Sequence, residues 1–242
     1  MSVEPDIVVE PSRCETCAIR HRAVCGALSL EELTRLNQIA KQRKISAGQT
    51  IMSDEEEATF LANVVTGVVK LSKTLPDGRQ QVIGLLFSPD FLGRVFHDTN
   101  PYFAETATDA EICVFPRKKF EALLDEFPGL EHRLLKHTLT ALDAAREWMV
   151  LLGRKTAQEK VASFLTLLAE RSLETGCQHI AIDDAAHFEL PLTRNDMADY
   201  LGLTVETVSR QITRLKSAGV VVIEDNRKIS VPDVERLRDL SG

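Results

Sequence analysis

From Pro128 to Leu152 the chain reads PGLEHRLLKHTLTALDAAREWMVLL, and after Pro128-Gly129 no helix breaker interrupts it before Gly153. Leu135, Thr138, Leu142, Ala145, Met149 and Leu152 recur at alternating steps of three and four. That spacing lays them along one narrow stripe of a helix roughly 35 Å long. Charged residues flank the stripe: Arg133, Lys136, Asp143, Arg146 and Glu147. A second flank of Leu134, Leu139 and Leu151 is expected to pack on the chain's own body. Two placements suit such a stripe, a long core helix or a two-stranded coiled coil between identical chains. The segments on either side favour the coiled coil.

Before the helix, from Lys44 to about Phe115, short β-branched runs alternate with turn signals such as Thr66-Gly67, Pro76-Asp77-Gly78 and Ser88-Pro89-Asp90. The runs 49–52, 60–66, 68–74, 80–87 and 111–115 read as strands of an antiparallel roll or barrel. Helices are expected over 28–41, with Ser29 as N-cap, and over 116–127. After the long helix, Thr156 to Glu159 forms a capping box that opens another helix, ending near Gly176. The stretch from His179 to Leu190 reads as a short strand and linker.

Two short helices follow, 192–202 and 205–218, joined by Gly202-Leu203-Thr204. Val220 to Ile223 and Lys228 to Val231 then read as a hairpin. This order describes a winged helix-turn-helix, whose second helix enters the major groove. On that helix Glu206, Ser209 and Arg210 share one face, and Val205, Val208, Ile212 and Leu215 the other. Arg forks onto guanine and Glu accepts from cytosine, so the polar face suits base reading. Thr193 and Thr204, at the starts of the two helices, join the candidate DNA contacts, and Arg214 and Lys216 suit phosphates. Local positive charge matters here because the whole chain carries a net charge of −7.

The chain has 5 cysteines. No apolar run is long enough to span a bilayer, and residues 1–12 lack a signal-peptide pattern and read as loose, so a cytoplasmic protein is expected. In that compartment disulfides are rare, and the thiols call for another role. Cys14, Cys17 and Cys25 form a C-x2-C-x7-C run. Cys113 lies on a strand whose alternation puts Ile112 and Val114 on the opposite face. Folding the N-terminal segment over the roll brings these into a site of four thiolates, which suits either zinc or an iron–sulfur cluster. Cys177 reads as a structural or incidental thiol. No nucleophile–base pair or open metal site points to an enzyme.

LGLTVETVSRQITRLKSAGVV, with its E-x-x-S-R motif at Glu206 to Arg210, resembles the DNA-reading element of the Crp/Fnr superfamily. The resemblance covers nearly the whole chain. It implies an α+β fold with an N-terminal antiparallel β-roll of the cyclic-nucleotide-binding type over 28–127. A Cys-rich segment, 1–27, precedes it; a dimerisation helix, 128–153, and a winged helix-turn-helix domain, 154–242, follow. It also implies a homodimer on a two-fold symmetric, TTGAT-like operator of double-stranded DNA. RNA polymerase is a further expected partner, with the turn from Pro76 to Arg79 as one candidate contact.

The roll departs from the nucleotide-binding branch. Arg94 stands where that branch has Glu, and the stretch from Phe103 to Thr108 contains no Arg-Ser pair, so no cyclic nucleotide is expected. The cysteines instead resemble the FNR (fumarate and nitrate reduction regulator) type, which implies an oxygen-labile [4Fe-4S] cluster on Cys14, Cys17, Cys25 and Cys113. The gap before Cys25 is longer than in the best-known pattern. The expected function is an oxygen-responsive regulator that pairs along the stripe and binds DNA at low oxygen. A same-fold regulator sensing nitric oxide or thiol oxidation, and a zinc-stapled constitutive DNA-binding protein, are the alternatives.

Overall fold

The structure is a computed structural model that describes residues 13–175, 185–225 and 227–242. The expectations for residues 1–12, for the helix end near Gly176, for Cys177 and for the first part of the stretch from His179 to Leu190 lie outside the described residues. The chain divides into two compact units. One holds the residues up to Leu71 with Leu85–Ala141; the other holds Ser72–Gly84 with Leu142–Gly242.

In the first unit, turns from Arg13 lead into a 3-10 turn, Val24–Ala27, and then α1, Leu30–Ile39. Ser29 accepts from the Glu32 N–H, and the Glu32 side chain accepts from the Ser29 N–H, so the helix start is closed from both sides. The strands of the roll are β1 (Lys41–Ile45), β2 (Thr50–Met52), β3 (Phe60–Thr66), β4 (Val69–Thr74), β5 (Gln80–Leu86), β6 (Phe91–Leu92), β7 (Phe103–Thr106) and β8 (Ala110–Pro116), with the part of the β4–β5 hairpin from Ser72 to Gly84 belonging to the other unit. They form two 4-stranded sheets, β1-β8-β3-β6 and β2-β7-β4-β5. Then come α2, Arg117–Glu126, and the long α3, Pro128–Arg154.

Alternation along β3 and β8 divides their side chains between two cores. Ala62, Val64, Ile112 and Val114 join Met52, Val69, Leu92 and Ala104 from both sheets. Leu61 and Phe115 face the opposite way, into a core shared with Val24, Leu33, Leu36, Phe120, Leu124 and Leu130. The Phe120 ring lies 5.6 Å from Phe91 and 5.2 Å from Phe115. Truncating a fully buried Phe of this kind to Ala costs about 3–5 kcal/mol. This outer core fastens the N-terminal segment, α1, α2 and the start of α3 to the roll.

Along α3, Leu135 is 53% exposed, Leu142 44% and Met149 72%. Leu134 and Leu151 are buried, as expected for the second flank. Leu139 is not: it is 50% exposed. Three residues before Leu142 and four after Leu135, it widens the open apolar stripe instead of packing inward. Leu152, at the end of the stripe, is half-buried and lies close to Gly202.

The second unit is built on α4, Ala157–Thr175. The expected capping pair starts it: the Thr156 N–H donates to Glu159 at 2.7 Å, and the Glu159 N–H donates to the Thr156 hydroxyl. Then come β9 (Ala186–Glu189), α5 (Arg194–Leu201), α6 (Val205–Ser217), β10 (Val222–Ile223), β11 (Lys228–Val231) and α7 (Val234–Asp239). The hairpin becomes a 3-stranded sheet, β10-β11-β9. Tyr200 anchors α5 by stacking on Trp148 of α3 at 3.9 Å and meeting the Phe164 ring edge-on at 5.7 Å.

Candidate functional site

The N-terminal segment holds its cysteines by short-range bonds. The Arg20 N–H donates to the Cys17 carbonyl, the Ala23 N–H to Ile19, and the Leu28 N–H to Cys25. Arg13 ties the start of the segment to the Ala40 carbonyl at 2.7 Å. Gly26 makes the turn possible: a Cβ there would lie 2.6 Å from the Arg20 carbonyl oxygen. The segment is also fastened to its neighbours. One Arg133 nitrogen on α3 donates to the His21 carbonyl at 2.9 Å and to the Arg22 carbonyl at 3.2 Å. Arg22 in turn donates to the Ser88 carbonyl.

These constraints bring Cys14, Cys17 and Cys25 to the outer core, where Cys113 arrives from β8. All four are free thiols; Cys25 is buried and the other three are half-buried. Burial first, and then the neighbouring Cys17 and Cys14, push the Cys25 thiol up to about 11. Burial, followed by Cys14, Cys25 and Cys17, pushes Cys113 up to about 12. Cys14 is raised too, mainly by burial, with Arg13 and Arg20 pulling the other way. The four thiols are thus neighbours at the edge of one core.

They do not form a tight knot. Among the described residues no three His, Cys, Asp or Glu side chains converge closely enough to hold a metal ion. The two observations concern different distances. A single ion needs its sulfurs about 2.3 Å from one centre, whereas a cluster takes its thiolates from a wider shell. The donor set fits such a cluster in kind and number, and binding would have to displace the thiol protons.

The DNA-reading candidates lie in the second unit. Val208, Ile212 and Leu215 bury one face of α6, and Glu206, Ser209, Arg210, Arg214 and Lys216 are exposed. Thr193 and Thr204 are N-caps: the Thr193 hydroxyl accepts from the Asp196 N–H at 3.1 Å and the Thr204 hydroxyl from the Thr207 N–H at 3.3 Å. Their own backbone hydrogen-bonding role is thereby given, and each leaves its helix start open to solvent. Gly202 carries φ 61 in the turn between the helices, a left-handed conformation that glycine adopts without strain. The Glu206 carboxyl is held below its usual range by its own N–H and by Thr204. Arg210 is nearly free, with one long contact of 3.4 Å to the Thr207 hydroxyl.

In the roll, Arg94 is exposed, and Lys70 pairs with Glu105 at 3.0 Å. At the tip of the β4–β5 hairpin, Arg79 pairs with Asp77 at 2.8 Å and the turn stays open to solvent. Sequence reasoning missed three residues near the thiols: Gly26, Arg133 and Asn63 of β3. The C-x7-C run hinted at a constrained loop, but nothing in its spacing named them.

Residues 42–127 match the cyclic nucleotide-binding domain family and residues 159–240 the Crp-like helix-turn-helix domain family. The chain is 49% identical, over 94% of its length and 92% of the relative's, to a probable transcriptional activator of Rhizobium leguminosarum bv. viciae. It is 47% identical to the transcriptional activator protein FnrL of Cereibacter sphaeroides, over 95% of this chain and 92% of that one. The structure of FixK2 from Bradyrhizobium japonicum superposes with a TM-score of 0.75 at 30% identity, covering 84% of this chain and 98% of that one.

Proposed function

Because the chain belongs to the Crp/Fnr family of transcription regulators, we propose that it is an oxygen-responsive transcriptional activator whose sensor is a [4Fe-4S] cluster held by Cys14, Cys17, Cys25 and Cys113. Family membership makes the chain a regulator and not an enzyme. The observation that supports the sensor reading is the gathering of four thiols, three from one segment and one from β8, around a single core. Bound there, a cluster would link Cys14, Cys17 and Cys25 of the segment to Cys113 of β8 through its iron–thiolate bonds, and its loss would free the segment.

The chain's own residues do the rest. With the segment in place, the His21 and Arg22 carbonyls engage Arg133 at the start of α3. The exposed stripe of Leu135, Thr138, Leu142, Ala145 and Met149, with half-buried Leu152, pairs with a second copy of the chain. Pairing sets the spacing of two α6 helices on a two-fold symmetric, TTGAT-like operator. Glu206, Ser209 and Arg210 read base edges there, while Arg214 and Lys216 hold phosphates. Thr193 and Thr204 line the helix starts facing the duplex.

The roll takes no cyclic nucleotide in this reading, since Arg94 stands in solvent and Lys70 is engaged by Glu105. The turn from Pro76 to Arg79 is assigned to RNA polymerase. Functionally, a Cys-rich segment over 1–27, a roll over 28–127, a pairing helix over 128–153 and a reader over 154–242 divide the work.

The test is iron and zinc analysis of protein purified without oxygen. Iron, with a colour that bleaches in air, is expected in the wild type. Cys14→Ser, Cys17→Ser, Cys25→Ser and Cys113→Ser should each lose it together with operator binding, and Cys177→Ser should keep both. Zinc in place of iron, or iron retained by Cys25→Ser and lost by Cys177→Ser, refutes the assignment.

A further inference from the structure

Asn63 shares its face of β3 with Leu61 and Val65, both of which join the core that contains the cysteines. Its cross-strand partners are Cys113 on β8 and Phe91 on β6. Directly opposed residues of an antiparallel pair hold their Cβ atoms about 4.5–5.5 Å apart. Asn63 is 1% exposed, and its Oδ1 is buried without a hydrogen-bond partner. A buried amide oxygen left unpaired costs about 1–3 kcal/mol. Of the four neighbours on this face, Leu61, Val65 and Phe91 offer no polar atom, and only Cys113 does. A neutral thiol is a weak donor, whereas a metal-bound thiolate is an acceptor. Turning the amide over exchanges its oxygen for its N–H.

We propose that Asn63 is a positioning residue of the cysteine centre: with Cys113 bound to metal as a thiolate, the Asn63 amide donates an N–H to its sulfur, orients it and slows its release. The inference rests on the reading of the four cysteines as one metal centre. It explains why a polar side chain with an unpaired amide oxygen occupies an otherwise apolar face. Partners of this outer kind are worth roughly 10- to 100-fold in metal affinity.

The experiment compares full-length wild type, Asn63→Leu, Asn63→Ser and Cys113→Ser, stripped of metal and titrated with cobalt(II) without oxygen. Thermal unfolding of each metal-free protein is measured alongside. Leu matches the shape of Asn and removes the unpaired oxygen, so the metal-free Leu variant should unfold no earlier than wild type. Its cobalt should dissociate into a chelator faster, with affinity down roughly 10- to 100-fold. Ser keeps a donor and should recover part of that loss. Wild-type cobalt affinity in Asn63→Leu overturns the proposal. So does a drop in metal-free stability that tracks the cobalt loss in both variants, since that marks a structural residue. Where the wild type takes up no cobalt, the same comparison is made on iron release after anaerobic reconstitution with iron and sulfide; a wild type that takes up neither cobalt nor iron overturns the centre itself, a result read before any variant is compared.

Discussion

Arg133→Met tests how the cysteine segment reaches the pairing helix. A single Arg133 nitrogen donates to the His21 and Arg22 carbonyls, both in the loop between Cys17 and Cys25. Methionine keeps much of the aliphatic stem and gives up the charge and the donors. One nitrogen serves both carbonyls at a partly exposed site, so the pair counts as one charged hydrogen bond at the low end of its range, about 1.5 kcal/mol. Arg133 Nε is buried without a partner. Removing it relieves a cost, so the stability of the metal-free protein should change little. The lost bond should appear instead as weaker coupling, about tenfold in an equilibrium constant. The assay is operator affinity by fluorescence anisotropy, at fixed salt, for iron-loaded and iron-free protein. The ratio of the two affinities should shrink about tenfold from wild type to variant, with iron per chain unchanged. An unchanged ratio would falsify the claim that the loop acts on α3 through Arg133. Iron falling to the level of the cysteine variants would assign Arg133 to loading.

Arg210→Ala should cost roughly 1–3 kcal/mol on operator DNA and relax preference at one guanine, whereas Arg214→Ala should weaken binding to all sequences and flatten the salt dependence. Competition binding against random DNA decides this, and equal losses on both DNAs for Arg210→Ala would remove it from base reading. Ala145→Asp places two carboxylates across the paired stripe, where charges about 6 Å apart repel by roughly 0.7–3 kcal/mol. Sedimentation of metal-free protein should then show a wild type that pairs at micromolar concentration and a variant that does not; a wild type that stays monomeric throughout removes Ala145 from the control of pairing.

Elements with a strong local signal were legible before any coordinates. The N-cap at Ser29, the capping pair Thr156–Glu159 and the cap at Thr193 stand where spacing puts them. So do β3 and the recognition helix α6, each with a clear apolar period. The sequence pattern places only Lys41 of β1 at the end of a helix and assigns no strand to the rest, and it gives no sign of β7. Lys41–Ile45 is largely exposed and carries three basic residues in KQRKI, an edge-strand composition that hides a strand's period. Phe103–Thr106 is short, and its pairing with β2 is broken by a register shift. Leu139 was assigned to the wrong side because helical spacing gives an angle, whereas burial depends on what stands opposite that angle.

The same distinction separates the legible part of the site from the rest. Thiols announce themselves by residue type and spacing, so Cys14, Cys17, Cys25 and Cys113 were candidates from the start. The residues that hold and tune them are ordinary in sequence. Asn63 matters because the β3–β8 register sets it opposite Cys113, and a slip of one residue would turn it to the other core. Arg133 matters because α1, α2 and the outer core bring the loop's carbonyls to the start of α3. Both are long-range consequences of pairing and packing. Candidate ligands can therefore be named from a sequence of this kind, but the route from candidate ligand to helix needs the fold. Arg133 and Asn63 separate the two experimentally: one should alter coupling at constant metal content, and the other metal retention at constant stability.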